Sequence, residues 1–181
     1  MRIQNGINNT TNNNSNNKTF NLQFFLNETC KDALNITDFV NSIQLQLKDL
    51  EKTGKEGYVS GISNIIIKEL KDLDIHKRPI HCSDLKRETL YIKDNNSWEK
   101  ENEEKLKLKQ VIKEVTNKNF KQIPSWVKSH PHCLEYSHHE NEDYMNLLSS
   151  CMNGSSKEEQ EDNMNKIIKN VSKETCIEKV N

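Results

Sequence analysis

The chain has 181 residues, and its 26 basic and 27 acidic side chains leave a formal charge of −1, so bulk charge selects neither a nucleic acid nor a membrane surface. No apolar run approaches the roughly 20 residues that span a bilayer, which argues against a membrane anchor. Cysteines stand singly at 30, 82, 133, 151 and 176, with no CxxC pair and no secretory leader, the pattern of a reducing, intracellular compartment.

Lys, Asn and Ile are abundant, Ala occurs once and Arg three times, a skew expected of AT-rich codons, so spacing carries more weight here than composition. Residues 1–18 read MRIQNGINNTTNNNSNNK, with little to bury, and are expected to form a disordered Asn-rich leader. Residues 19–178 are then expected to form one mainly helical domain.

Within it, Phe20, Leu22 and Phe24 alternate with polar residues, which predicts a short half-buried strand over 19–26. Asn35 can cap a helix whose apolar stripe runs through Ile36, Phe39, Val40, Ile43, Leu47 and Leu50. Gly54 and Gly57 are expected to break it. A second helix over 57–75 carries Val59, Ile62, Ile66, Leu70 and Leu73, with Pro79 closing the region. Extended pieces over 79–83, 88–93 and from Trp98 onward, with a turn at 94–97, predict a small antiparallel β-hairpin in which Trp98 packs near Tyr91. A charged helix from Glu99 carries Leu108, Val111, Ile112 and Val115 inward and ends before Pro124, its exposed face laced by Glu101–Lys105, Glu103–Lys107 and Glu114–Lys118. Two more helices follow over 144–152 and 158–177, separated by Asn153-Gly154-Ser155-Ser156. The expected class is α+β, mainly α, in the order β-α-α-β-β-α-α-α.

Charge is unevenly placed along this order. Residues 76–93 carry five basic and two acidic side chains, whereas 135–162 carry eight acids against Lys157 alone. Lys77, Arg78, Lys86, Arg87 and Lys93 are therefore the candidate nucleic-acid-binding residues, as a helix end and hairpin facing phosphates. The plain alternative is solubility and helix-dipole chemistry. Gly54-Lys55-Glu56-Gly57, between two helices, has the order of a KH-type GxxG clamp, but Glu56 would place negative charge against phosphate, and a helix-hairpin turn is the simpler reading.

His130, His132, Cys133, His138 and His139 supply metal-preferring side chains within ten residues, yet a single loop would have to provide every ligand, so no metal site is assigned. His81-Cys82 and His132-Cys133 place a thiol next to a base, but neighbours on an extended chain face opposite ways, and no nucleotide-binding or catalytic motif occurs, so no enzymatic activity and no cofactor are expected.

The stretch from FFLNETCKDALNITDFVNSIQLQLKDLEKTGKEGYVSGISNIIIKEL through KDLDIHKRPIHCSDLKRETLYIKDNNSWEKENEE resembles an uncharacterised family of giant DNA virus proteins, over about residues 19–178. In that family the domain often follows a zinc finger and an Asn-rich linker; the finger is missing from this chain. The resemblance implies a non-enzymatic accessory domain acting in the host cytoplasm or a viral replication compartment. Its expected partner is nucleic acid, and the alternative is a protein partner or a second copy of the chain.

Overall fold

The computed structural model describes residues 20–178; the expected leader and Thr19 lie outside the described residues. The fold is α+β and mainly helical, with one small antiparallel sheet.

The expected first strand is a helical turn instead. Leu22–Phe24 (α1) runs into a wider turn over Phe25–Thr29, and the Asn21 side chain accepts the Phe24 N–H at 3.1 Å. A lone strand here would leave its amides without partners, whereas a capped turn satisfies them locally. Leu26 is thereby buried while Phe24 points to solvent.

The stripe from Ile36 to Leu50 is split into two helices, α2 over Ile36–Ser42 and α3 over Leu47–Glu56. Gln46 and Asp49 start the second with a capping box, in which the Gln46 N–H donates to Asp49 Oδ2 at 2.9 Å. The carbonyls left at the end of α2 find another donor. Lys118 reaches Val40, Asn41 and Ile43 at 2.6, 3.2 and 3.2 Å, with its ammonium at the negative end of the helix.

Gly54 does not break α3; Gly57 alone does, with φ 83° and ψ 167°, a conformation essentially reserved for glycine. Helix α4 follows at once over Tyr58–Lys71. Gly54 and Gly61 serve instead to let helices approach. A Cβ on Gly61 would lie 2.4 Å from Thr53 Oγ1 and 2.7 Å from Thr53 Cα, and one on Gly54 would lie 3.1 Å from Leu147 Cδ1.

After a single tight turn at Ile75–Lys77, strands β1 (Ile80–Asp84), β2 (Thr89–Asp94) and β3 (Ser97–Lys100) form a sheet in that order, all antiparallel. Asn95 and Asn96 both adopt positive φ, as a two-residue hairpin turn demands. Trp98 pairs across from Lys93 and lays its ring 5.4 Å from that of His81.

Helix α5 spans Leu106–Phe120, starting later than the charge pattern predicts. Glu101 is the reason: it is buried, and its carboxylate accepts the amides of Leu108 at 3.0 Å and Asn102 at 3.2 Å. The expected Glu101–Lys105 and Glu103–Lys107 pairs therefore precede or straddle the helix start, and Lys107 pairs with Asp94 and Glu99 at 2.9 and 2.8 Å.

Pro124 opens a further helix, α6 over Ile123–Ser129, which the pattern of apolar residues did not announce. Helices α7 (His139–Cys151) and α8 (Lys157–Glu174) complete the order, and residues after α8 pair with the free edge of β1: the Cys82 N–H donates to the Thr175 carbonyl at 2.8 Å, and the Ile177 N–H to that of Cys82 at 2.9 Å. That pairing covers an otherwise open strand edge.

One core joins α2, α4, α5, α8 and the sheet through residues such as Phe39, Ile66, Ile92, Ile112 and Ile167. A second, smaller one joins α3, α6 and α7 through Leu50, Ile123, Trp126, Cys133, Leu147 and Cys151. Among the described residues no helix is long and apolar enough to cross a membrane.

Gly61→Ala forces backbone apart where α4 touches Thr53, and a loss of about 1–3 kcal/mol is expected in urea unfolding. Ser60→Ala, one residue away on the exposed side, should stay within about 0.5 kcal/mol of the parent. Equal midpoints for Gly61→Ala and the parent would rule out this close crossing.

Candidate functional site

The five basic candidates are not equally available. Lys93 is buried, and its ammonium donates to the Lys31 carbonyl at 2.5 Å. Lys77 and Arg78 precede β1, Lys77 exposed and Arg78 half-buried with its Nε enclosed and unpaired. Lys86 and Arg87 are exposed at the far end of that strand, about 15 Å away by strand geometry. There their amides donate to Asp84 Oδ1 at 2.9 and 3.1 Å, and the Arg87 guanidinium stands 3.9 Å from the same carboxyl group.

Other lysines are engaged by acids as well. Lys109 pairs with Glu161, and Lys71 with Glu174 at 3.1 Å, so α8 lays carboxylates over the cations of α5 and α4. The GxxG clamp is not formed either. Lys55 and Glu56 are helical, and the Glu56 carboxylate accepts the Asn64 amide at 2.8 Å.

His81 and Cys82 do not contact one another through imidazole and thiol; His81 Nε2 instead lies 3.6 Å from Sγ of Cys30, fifty-one residues earlier. Both groups are buried. Desolvation pushes the Cys30 thiol up to about 11 and the His81 imidazole down to about 4, so the pair is neutral and sealed, lacking the thiolate and access that nucleophilic chemistry requires.

The His-rich segment divides in two. His130 stacks on Trp126, with ring centroids 3.8 Å apart and planes 13° from parallel, and its Nδ1 donates to the Trp126 carbonyl at 2.9 Å. Cys133 is fully buried in the second core. His132 stays exposed in the loop between α6 and α7, and half-buried His138, at the end of that loop, has its ring beside those of His132 and of exposed His139, the first residue of α7.

The loop is held in place by its own backbone. Successive N–H groups of Cys133, Glu135 and His138 donate to the carbonyls of His130, His132 and Glu135, and the Asn141 amide donates to the Cys133 carbonyl at 2.8 Å. Held this way, it presents Leu134 at 68% exposure and Tyr136 at 96%.

Beside the loop, α3 and α7 bound a groove of ≈ 580 Å³. The stacked Trp126 and His130 line it, and Tyr144 lies nearly parallel to the indole with ring centroids 6.1 Å apart. Glu51 and Asp143 bring carboxylates to its walls, and Lys55 one cation. Ser150 donates to the Gly54 carbonyl at 3.0 Å, fastening the two walls where Gly54 meets Leu147. The acidic richness of 135–162 and the aromatic positions of Trp126 and Tyr144 were visible in the sequence, but not that α3 would close the groove.

No family model, no curated protein and no solved structure matches the chain.

Two measurements test this description. Lys93→Glu should cost about 2 kcal/mol or more of stability, because a buried donor is replaced by a charge facing a carbonyl, while Lys86→Glu with Arg87→Glu leaves the melting midpoint nearly unchanged. Because folding lowers the His81 pKa from its ordinary 6.5 to about 4, the unfolded chain binds more protons between those values. Its contribution to stability is therefore complete above pH 6.5 and falls as pH drops towards 4, by up to about 3 kcal/mol. Denaturant unfolding of His81→Phe should show a smaller loss over that window than the parent.

Proposed function

We propose that this chain is a non-enzymatic binding module whose groove between α3 and α7 takes a basic segment of a partner polypeptide. The observation that carries this reading is the pairing of two wall carboxylates, Glu51 and Asp143, with an aromatic lining of Trp126 and His130. A lysine or arginine side chain suits such a place: its charge meets carboxylates and its apolar stem, or a guanidinium plane, lies against rings.

Leu134 and Tyr136, exposed on the loop that leaves the groove at His130, supply apolar anchors of the kind that dominate protein interfaces. The resemblance to giant DNA virus proteins supports an accessory role in the host cytoplasm or a viral replication compartment. A phosphate-binding role for Lys77, Arg78, Lys86 and Arg87 is the weaker reading, since these exposed or half-buried cations lie at opposite ends of β1 and Lys93 is spent internally.

The test is a fluorescence or calorimetric titration with a Lys/Arg-rich peptide carrying leucines, beside duplex DNA and single-stranded RNA, at two salt concentrations. Peptide binding is expected, weakening with salt and falling at least tenfold in the Glu51→Gln, Asp143→Asn double variant. Absence of peptide binding at low salt overturns the reading. So does nucleic-acid binding abolished by Lys86→Glu and Arg87→Glu, which would return the function to the hairpin.

A further inference from the structure

The imidazoles at the start of α7 form a cluster that the groove does not use. Ligand atoms of His138, His139 and Glu140 lie within 4.8 Å of one another. The His132 ring is 4.7 Å from that of His138, and His138 is 4.3 Å from His139. We propose that His138, His139 and Glu140, with His132 as fourth ligand, bind a zinc-class divalent transition metal.

The chemistry of the donors selects the metal. Three imidazoles and one carboxylate suit zinc, copper, nickel or cobalt, and are a poor match for magnesium or calcium, which take oxygen ligands. A tetrahedral zinc ion with bonds near 2.1 Å places its donor atoms roughly 3.4 Å apart. The three clustered ligand atoms need movement of about an ångström or more to reach that spacing, and His132 must swing in beside them; His132 and His139 are exposed, where rotation is cheap, and His138 and Glu140 are half-buried.

A supporting shell is already in place. His132 Nδ1 lies 2.9 Å from Glu135 Oε1; a carboxylate acceptor fixes the proton on Nδ1 and leaves Nε2 with its lone pair for a metal. Glu140 Oε2 accepts the His132 N–H at 3.0 Å, which draws the two ends of the loop together. Glu135, Glu140 and Glu142 offset the positive end of α7, which would otherwise disfavour a cation there. One contact is surrendered: His138 Nδ1 accepts the Glu140 N–H at 3.3 Å, a long bond that ligation through this nitrogen replaces.

The cluster also explains why the sequence pattern fell short of a known ligand spacing. His130 is held on Trp126 and Cys133 is buried, so two of the five residues in the run belong to the core, and the missing oxygen ligand comes from Glu140 on the next helix.

The site is independent of peptide binding, which is measured with chelator present. The full chain, stripped with chelator and reduced, is titrated with Zn²⁺ by calorimetry and with Co²⁺ by visible absorption. One ion per chain is expected, with the absorption of tetrahedral Co²⁺ and no competition from Mg²⁺. Affinity should fall at least tenfold in His138→Ala, His139→Ala and roughly 10–100-fold in Glu135→Gln, while His76→Ala, at an exposed position before β1, leaves it unchanged. His139→Ala alone, at an exposed position, should also weaken binding and guards against a folding defect in the double variant. Sub-stoichiometric binding, an affinity indifferent to His139→Ala, or equal loss in His76→Ala overturns the proposal.

Discussion

Helix α3 is pressed from two sides by contacts that tolerate no extra atom. Thr53 meets Gly61 of α4 on one side and Gly54 meets Leu147 of α7 on the other. The Thr53 hydroxyl, fully buried, donates to the Asp49 carbonyl at 2.9 Å and accepts the buried Asn119 amide of α5 at 3.1 Å. One residue thus registers α3 against α4 by shape and against α5 by hydrogen bonding, and interiors packed at crystal-like density transmit such a constraint rather than absorb it.

The rest of the functional surface depends on that placement. Because α7 can lie directly on Gly54, Ser150 reaches the Gly54 carbonyl, Leu147 enters the second core, and the acidic start of α7 stands beside the Trp126–His130 stack. The loop before α7 is anchored at one end by buried Cys133 and at the other by the turn of α7, so its imidazoles and its exposed Leu134 and Tyr136 are offered on a fixed frame. Groove and imidazole cluster are neighbours, but they use different side chains and different chemistry.

Charge in this chain is spent mainly on architecture. Lys118 closes the end of α2, Glu101 starts α5, Lys93 holds the Lys31 carbonyl against the sheet, and Lys107 joins α5 to two strands. Each of these reads along the sequence as an ordinary surface charge. Lys118 and Lys93 reach backbone carbonyls in distant parts of the chain, while Glu101 and Lys107 tie the start of α5 to the sheet beside it; in each case a charged hydrogen bond is stronger than a neutral one and an unpaired polar group is costly.

Local signals carried the class of the fold. Apolar residues at helical spacing marked α4, α5 and α8, and Asn95-Asn96 marked the hairpin turn, because periodicity and turn conformation are properties of a few adjacent residues. Where a neighbour in space supplied the decisive group, the local signal failed. The alternating Phe20, Leu22 and Phe24 became a turn when Asn21 capped it, the α2–α3 stripe split where Lys118 took its carbonyls, and two of five histidine-run residues were claimed by Trp126 and the second core. The sequence by itself determined that the chain would be mainly helical around one small hairpin, and which residues were chemically able to bind. Only the tertiary structure decided which of those side chains were free to do so, since burial and pairing depend on contacts between residues that the chain holds far apart.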